Sequence, residues 1–198
     1  MRVTIFDYGA GNLHSLAKAI CGPGTTVQIE HDPANAIRTD VLVLPGVGAF
    51  ATAAARLAPA RAVVRSALEG GLPVVGICLG MQLLLDGSDE GGGEGLGMIP
   101  GRVSRLAARR VPQIGWNRLE ESADPLFSLA GLEVVYYANG YVCRPEEPAS
   151  VIAWSTHETD RFPAAVRRDN VLGVQFHPEK SSAPGVRFLR AAIEEVSR

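Results

Sequence analysis

The sequence predicts an α/β protein with a mainly parallel sheet flanked by helices and an antiparallel extension. Three observations predict it. Short β-branched runs alternate with helix-length amphipathic segments through the first 85 or so residues. The run Pro73-Val74-Val75-Gly76-Ile77 is nearly unbroken in its apolar character, as a strand covered on both faces must be. Beyond Gly97 the pattern changes to closely spaced short strands with turn signals and little helix.

Taken in order, residues 3–6 read as a strand and residues 12–20 as a helix. Residues 26–29 and 40–44 are two further strands. Residues 57–70 read as one helix, with Val63, Val64 and Leu68 on one face and Arg61, Arg65 and Glu69 on the other. Residues 73–77 make the next strand, and a helix starts at Leu79. Strands joined through helices need right-handed crossovers and hence parallel neighbours. Residues 102–106, 114–116, 134–137, 151–155 and 171–176 then read as short strands of an antiparallel extension on one edge, and residues 185–196 as a closing helix. There is no internal repeat and no dividing linker, so residues 1–198 are expected to form a single domain.

Composition narrows the function classes. With 46% hydrophobic residues among 198, the chain can bury one full core. Nineteen basic against 21 acidic residues give a net charge of -2, with no basic surplus to favour nucleic acid or an anionic membrane. The N-terminus runs straight into a strand, and no apolar stretch is long enough for a bilayer, so a cytoplasmic protein is expected. Three scattered cysteines without a Cys-x-x-Cys pair suit neither a disulfide framework nor a zinc site. No metal or other cofactor is expected.

Of these cysteines, Cys78 stands apart. A buried strand runs into it, a helix start follows, and Gly76 and Gly80 flank it. A sharp strand-to-helix turn forces an unfavourable backbone on the residue at the bend and leaves no room for neighbouring Cβ atoms. That is the elbow that lifts a nucleophile above the carboxyl edge of a sheet, and the helix N-terminus favours a thiolate there. The alternative is an ordinary buried cysteine at a strand–helix junction, but the pentapeptide favours the nucleophile. Cys21 and Cys143 have no such setting and read as small buried hydrophobes.

A second motif, Val174-Gln175-Phe176-His177-Pro178-Glu179, ends a strand at a proline that cannot continue the ladder. His177 thus stands at a strand end, where a parallel-sheet enzyme keeps its site. A cysteine nucleophile needs a base beside it, and Glu179 is placed to fix the imidazole tautomer. Alone, His-Pro-Glu is a common surface turn; an elbow cysteine elsewhere in the chain changes its reading. His14, His31 and His157 lack a matching acid and strand end and read as solvated. A third feature, Pro45-Gly46-Val47-Gly48, follows a buried strand. Its glycines either let backbone N–H groups point into a site, as an oxyanion hole requires, or merely close a turn. The stretch 91–97, with five glycines, lacks the features of a phosphate loop and reads as a flexible surface loop.

Together, Gly76-Ile77-Cys78-Leu79-Gly80-Met81-Gln82 and Phe176-His177-Pro178-Glu179 resemble the class I (triad-type) glutamine amidotransferases, a flavodoxin-like family. The similarity covers essentially the whole chain, so no fused synthetase domain is expected. Asp7-Tyr8-Gly9-Ala10-Gly11-Asn12-Leu13, residues 45–50, Gly115-Trp116-Asn117 and Gln175-Phe176-His177-Pro178-Glu179-Lys180-Ser181 are similar to the glutaminase subunits of imidazole glycerol phosphate synthases, enzymes of histidine biosynthesis. The resemblance implies that Cys78 attacks the glutamine amide, His177 shuttles the proton and Glu179 holds His177. It implies that the N–H groups of Val47 and Leu79 form the oxyanion hole and that Gly48 and Gln82 contact glutamine. It also implies a heterodimer with a cyclase subunit that receives the ammonia, with Asn12, Trp116, Lys180 and His14 where the family meets that partner, and glutaminase activity that rises on partner binding; Asn12 and Trp116 read equally well as plain turn and core residues. Gln113 stands where the family usually has His, and Asn139-Gly140 where it has His-Ser, so glutamine contacts and coupling are expected to differ there. Other readings of the motifs are a glutaminase subunit for another synthase, such as pyridoxal phosphate synthase, a partner-independent cysteine hydrolase, or a binding module without chemistry.

Overall fold

Every residue of β3 (Val41–Leu44) is buried, and its side chains alternate between two cores: Val41 and Val43 enter one, Leu42 and Leu44 the other. An extended chain sends successive side chains to opposite faces, so such a strand needs cover on both sides. The computed structural model, which describes residues 1–9 and 13–198, supplies that cover. The first half of the chain contributes β1 (Arg2–Phe6), α1 (Leu13–Ile20), β2 (Thr26–Glu30), α2 (Pro33–Ala36), β3, α3 (Phe50–Leu57), α4 (Arg61–Glu69), β4 (Val74–Ile77) and α5 (Leu79–Leu83). The second half contributes β5 (Gly87–Ser88), β6 (Gly101–Arg105), β7 (Gln113–Arg118), α6 (Pro125–Ala130), β8 (Val134–Asn139), β9 (Tyr141–Pro145), β10 (Val151–His157), β11 (Asp160–Arg168), β12 (Val171–Val174) and α7 (Ser182–Val196). Leu16, Phe127 and Phe188 of α1, α6 and α7 pack into one core, and Phe50, Val64 and Leu83 of α3, α4 and α5 into the other.

The main sheet has seven strands in the order β10-β11-β12-β4-β3-β1-β2. The five from β12 to β2 are parallel, and β11 and β10 extend one edge in antiparallel fashion. This is the predicted fold class, with corrections in the details. Strand β12 belongs to the parallel body beside β4, not to the extension; its register places Gly173 against Gly76. The predicted strands near 102–106, 114–116 and 134–137 lie outside the main sheet. They form a three-stranded sheet, β5-β6-β9, and a two-stranded ribbon, β7-β8. Local patterning carries no information on which strand a returning chain will join, and hence none on its direction.

The helix read over 57–70 is interrupted at Pro59 in a 3-10 turn, Ala58–Ala60, between α3 and α4. Proline offers no N–H to the helical ladder and its ring crowds the preceding turn. The buried stripe of the second piece follows Ala60, Val64 and Leu68, and Val63 is 52% exposed, off the face assigned to it. Three strands, β5, β9 and β11, had no clear local cue. One of them, β11, contains Pro163 opposite Trp154, beside a register shift between Ala153 and Trp154 where a missing donor is tolerated. Cys143 is buried on β9, but Cys21 is exposed after α1, against the reading of it as a buried hydrophobe. Among the described residues no helix is long and apolar enough to cross a membrane.

Candidate active site

Three adjacent parallel strands, β3, β4 and β12, end at the same edge of the sheet, and each delivers part of one site. At the end of β4, Cys78 makes the turn into α5 with φ 49° and ψ -103°. A non-glycine residue in such a conformation costs on the order of 1–3 kcal/mol and persists only where its surroundings enforce it. They do. The Cys78 N–H donates to the Val174 carbonyl at 2.7 Å, keeping Cys78 in line with the sheet. A Cβ on Gly76 would lie 2.6 Å from the Gly80 carbonyl oxygen, and one on Gly80 would collide with the Leu44 carbonyl. The two glycines let the chain double back on itself at van der Waals distance. The thiol itself is buried, with 6% exposure.

The chain leaving β12 brings His177 to the same place. Its backbone N–H donates to the Tyr136 carbonyl at 2.9 Å, and its carbonyl accepts from Ser181 Oγ at 2.7 Å. Ser181 Oγ also accepts from the Tyr136 N–H at 3.0 Å, so β8 and the turn after His177 clamp this residue from two sides. Its side chain is 1% exposed, and Nδ1 lies 2.9 Å from Glu179 Oε1. An ionised carboxylate only accepts, so Nδ1 carries the hydrogen and Nε2 is free to take or give a proton. Among the described residues, Nε2 has no hydrogen-bond partner of regular geometry. Burial disfavours the imidazolium, but Cys78 and Glu179 more than offset it, and the His177 pKa is raised from 6.5 to about 9. The loop leaving β3 closes the group: a Cβ on Gly46 would lie 3.0 Å from His177 Cε1 and 3.1 Å from Cys78 Cβ.

Beside this group lies a cleft of about 130 Å³. Its lining includes Val47, Gly48, Cys78, Leu79 and Gln82, all singled out from the sequence, and it is closed by Glu90 and residues 138–141. Leu79 is the first residue of α5, and Gly48 has a φ of +126°, a conformation open to glycine and strained for other residues. Gln82 is buried; its Nε2 donates to the Tyr141 carbonyl at 3.1 Å and toward Gln175 Oε1 at 3.4 Å. Gln113 and Asn139, two departures from the family pattern, are cross-strand neighbours in the β7–β8 ribbon. Both are buried, and Gln113 Oε1 and Asn139 Oδ1 lack hydrogen-bond partners among the described residues.

Sequence reasoning missed three contributors. Glu90 lines the cleft and accepts from the Phe50 N–H at 3.2 Å, at the start of α3. It immediately precedes the glycine-rich stretch 91–97 read as a flexible surface loop, of which Gly95 and Leu96 are in fact buried. Ser181 holds the His177 backbone. Gln175, buried and two residues before His177, donates to Cys78 Sγ at 3.4 Å. It stands inside a motif already quoted, but no spacing rule says that its amide reaches the sulfur. Of the residues assigned to partner contact, Trp116, Lys180 and His14 are exposed, and Asn12 lies outside the described residues. Trp116 packs edge-on against Tyr136 with centroids 6.0 Å apart, and Lys180 Nζ sits 6.0 Å over the same Tyr136 ring. Among the described residues no group of three or more His, Cys, Asp or Glu side chains is placed to hold a metal ion.

Residues 4–195 match the family model described as glutamine amidotransferase class-I. A protein of Symbiobacterium thermophilum described as imidazole glycerol phosphate synthase subunit HisH is 46% identical over 95% of this chain and 91% of its own length. Proteins with the same description from Acaryochloris marina (40% identity, 98% and 94% covered) and Halobacterium salinarum (41%, 97% and 92%) are similarly close. Among solved structures, one described as a glutamine amidotransferase aligns with a TM-score of 0.73 at 21% identity, over 98% of both chains. The PurLQS structure of Thermotoga maritima aligns with a TM-score of 0.72 at 18% identity, covering 98% of this chain and 98% of that one. These two likenesses are of fold.

Proposed function

The chain belongs to the class I glutamine amidotransferases, and from that premise we propose a mechanism for it as the glutamine-hydrolysing subunit of an imidazole glycerol phosphate synthase, in histidine biosynthesis. Relatives so similar over their whole length are synthase subunits, so a partner subunit is implied; the proposed partner is the cyclase, joined as a heterodimer. Residues 1–198 act in this reading as one glutamine amidotransferase domain. The observation that carries the mechanism is Cys78 on its strained turn beside a buried His177 whose far nitrogen is held by Glu179.

In the proposed reaction the Cys78 thiolate attacks the side-chain amide carbon of glutamine, forming a C–S bond while the carbonyl electrons move onto oxygen. The N–H groups of Val47 and Leu79 hold that oxyanion; an N–H at the start of a helix has no partner inside the helix and is available for it. The intermediate collapses, the C–N bond breaks, and protonated His177 gives its Nε2 proton to the departing nitrogen, which leaves as ammonia. Water then attacks the thioester, with neutral His177 taking its proton, and glutamate leaves. Gly48 and Gln82 contact the bound glutamine. Glu90 supplies a carboxylate across the cleft that suits an α-ammonium group, a further contact in this reading.

An apolar face supports docking of a partner. Ile114 is 68% and Trp116 54% exposed on β7, with Val134 exposed on the facing strand β8. With Lys180 and His14, these form the proposed cyclase-facing surface. A cytoplasmic setting fits the three free cysteines, one of which must stay reduced to act. The deciding experiment measures glutamine-dependent and ammonia-dependent synthesis with the cyclase subunit present. Cys78→Ser is expected to lower the first by at least about a thousandfold and to leave the second intact. Retained glutamine turnover in Cys78→Ser would remove Cys78 as the nucleophile, and full-rate glutaminase activity of the isolated chain would remove the dependence on a partner.

A further inference from the structure

We infer that Gln175 is a functional part of the site: its carboxamide N–H holds the Cys78 sulfur in place and stabilises it as a thiolate. This rests on Cys78 being the nucleophile.

The hydrogen-bond chain fixes which end of each amide faces which neighbour. The Tyr141 carbonyl can only accept, so the Gln82 group 3.1 Å from it is its NH2. That same NH2 meets Gln175 at 3.4 Å, so the Gln175 atom there is the oxygen. The other end of Gln175, 3.4 Å from Cys78 Sγ, is therefore an N–H donor. Gln175 is fully buried, where an amide without partners is costly, and both its ends are engaged. Phe176, between Gln175 and His177, packs against Phe188 of α7 and anchors both neighbours.

An N–H offers the sulfur only a hydrogen. A thiol is a weak acceptor and a thiolate a strong one, so the contact favours the charged form. His177 Nδ1 is committed to Glu179, and His177, whose pKa Cys78 helps to raise, faces the sulfur with its other nitrogen; among the described residues the Gln175 amide is the donor with regular geometry to the sulfur. The titratable groups around Cys78 include His177 with Glu179 behind it, Glu90 and Tyr141 along the cleft, and Tyr8 and Cys143, both raised in pKa first by burial and then by charge on Cys78. Substitutions at Gln175 leave all of these in place.

The test uses the full chain with its partner subunit. The rate of Cys78 alkylation by iodoacetamide is followed against pH, read by mass spectrometry at Cys78 so that the exposed Cys21 does not interfere. Gln175→Met keeps the length and removes the donor. Its profile is expected to move to higher pH by about one unit, about a tenfold loss of thiolate at fixed pH, with kcat for glutamine falling about tenfold and KM little changed. Gln175→Glu places a carboxylate against the sulfur, and its profile should move further in the same direction. If Gln175→Met does not fold, Gln82→Met removes the group that orients Gln175 and should give a smaller shift of the same sign. An unmoved profile in a folded variant, or a shift to lower pH in Gln175→Glu, overturns the inference. Cys78→Ser separates this from the underlying assignment, since only its retained turnover would show that Cys78 is not the nucleophile.

Discussion

At the scale of single residues, the pair His177 and Glu179 carries two predictions. Glu179→Gln keeps the shape and removes the charge that orients the imidazole. A fall in glutaminase kcat of roughly 10²–10⁴-fold is expected, measured as glutamate release in the complex; an unchanged kcat would leave Glu179 with a packing role only. The second concerns pH. The folded-state pKa of His177, about 9, lies above its ordinary value of 6.5, so the native state holds this proton more tightly than the unfolded chain. The stabilisation is fully present below pH 6.5 and is lost as pH rises through about 9. It amounts to at most about 3 kcal/mol. Denaturant titrations at several pH values should show that loss between these limits in the native sequence, and a flatter curve in His177→Asn. The residue types of this site were legible because a nucleophile elbow and a His-Pro-Glu strand end leave local marks. Gln175 and Ser181 were not legible in these roles, since an amide or hydroxyl acquires its role from what folding sets against it.

At the scale of elements, the turn from β4 to α5 is the most exacting feature. A Cβ on Gly80 has nowhere to go but the Leu44 backbone, which belongs to a central strand and cannot yield. Gly80→Ala is expected to destabilise the protein by roughly 1–3 kcal/mol. The thermal midpoint should drop by several degrees, with activity falling further because Cys78 is displaced. A midpoint unchanged within a degree or so would mean that the turn tolerates more space than the packing indicates. The same glycines made this junction readable in advance, together with the apolar runs of β3 and β4. Strands β5, β9 and β11 escaped notice for the opposite reason. Their patterns are irregular, and β11 contains Pro163, which tertiary pairing accommodates beside a shift in register.

At the scale of the whole molecule, the exposed apolar face of the β7–β8 ribbon predicts where a partner binds. Trp116→Ala is expected to weaken the complex with the proposed cyclase partner by roughly 2 kcal/mol or more, about thirtyfold in Kd, measured by titration. The thermal midpoint of the isolated chain should change little, because the Trp116 side chain is half exposed there. The sequence by itself determined the fold class, the parallel direction of the first strands and the identity of the candidate nucleophile, base and orienting acid. Those features are written in short-range patterns: apolar periodicity, glycines at a bend, a proline after a strand end. Only the tertiary structure decided that residues 171–174 join the parallel body, that β6 and β7 leave it for sheets of their own, and that Glu90 faces the cleft. It also decided that the amides of Gln82 and Gln175 form a chain ending on the Cys78 sulfur. Each of these depends on groups up to 93 or 97 positions apart meeting in space, and no local propensity specifies such a meeting.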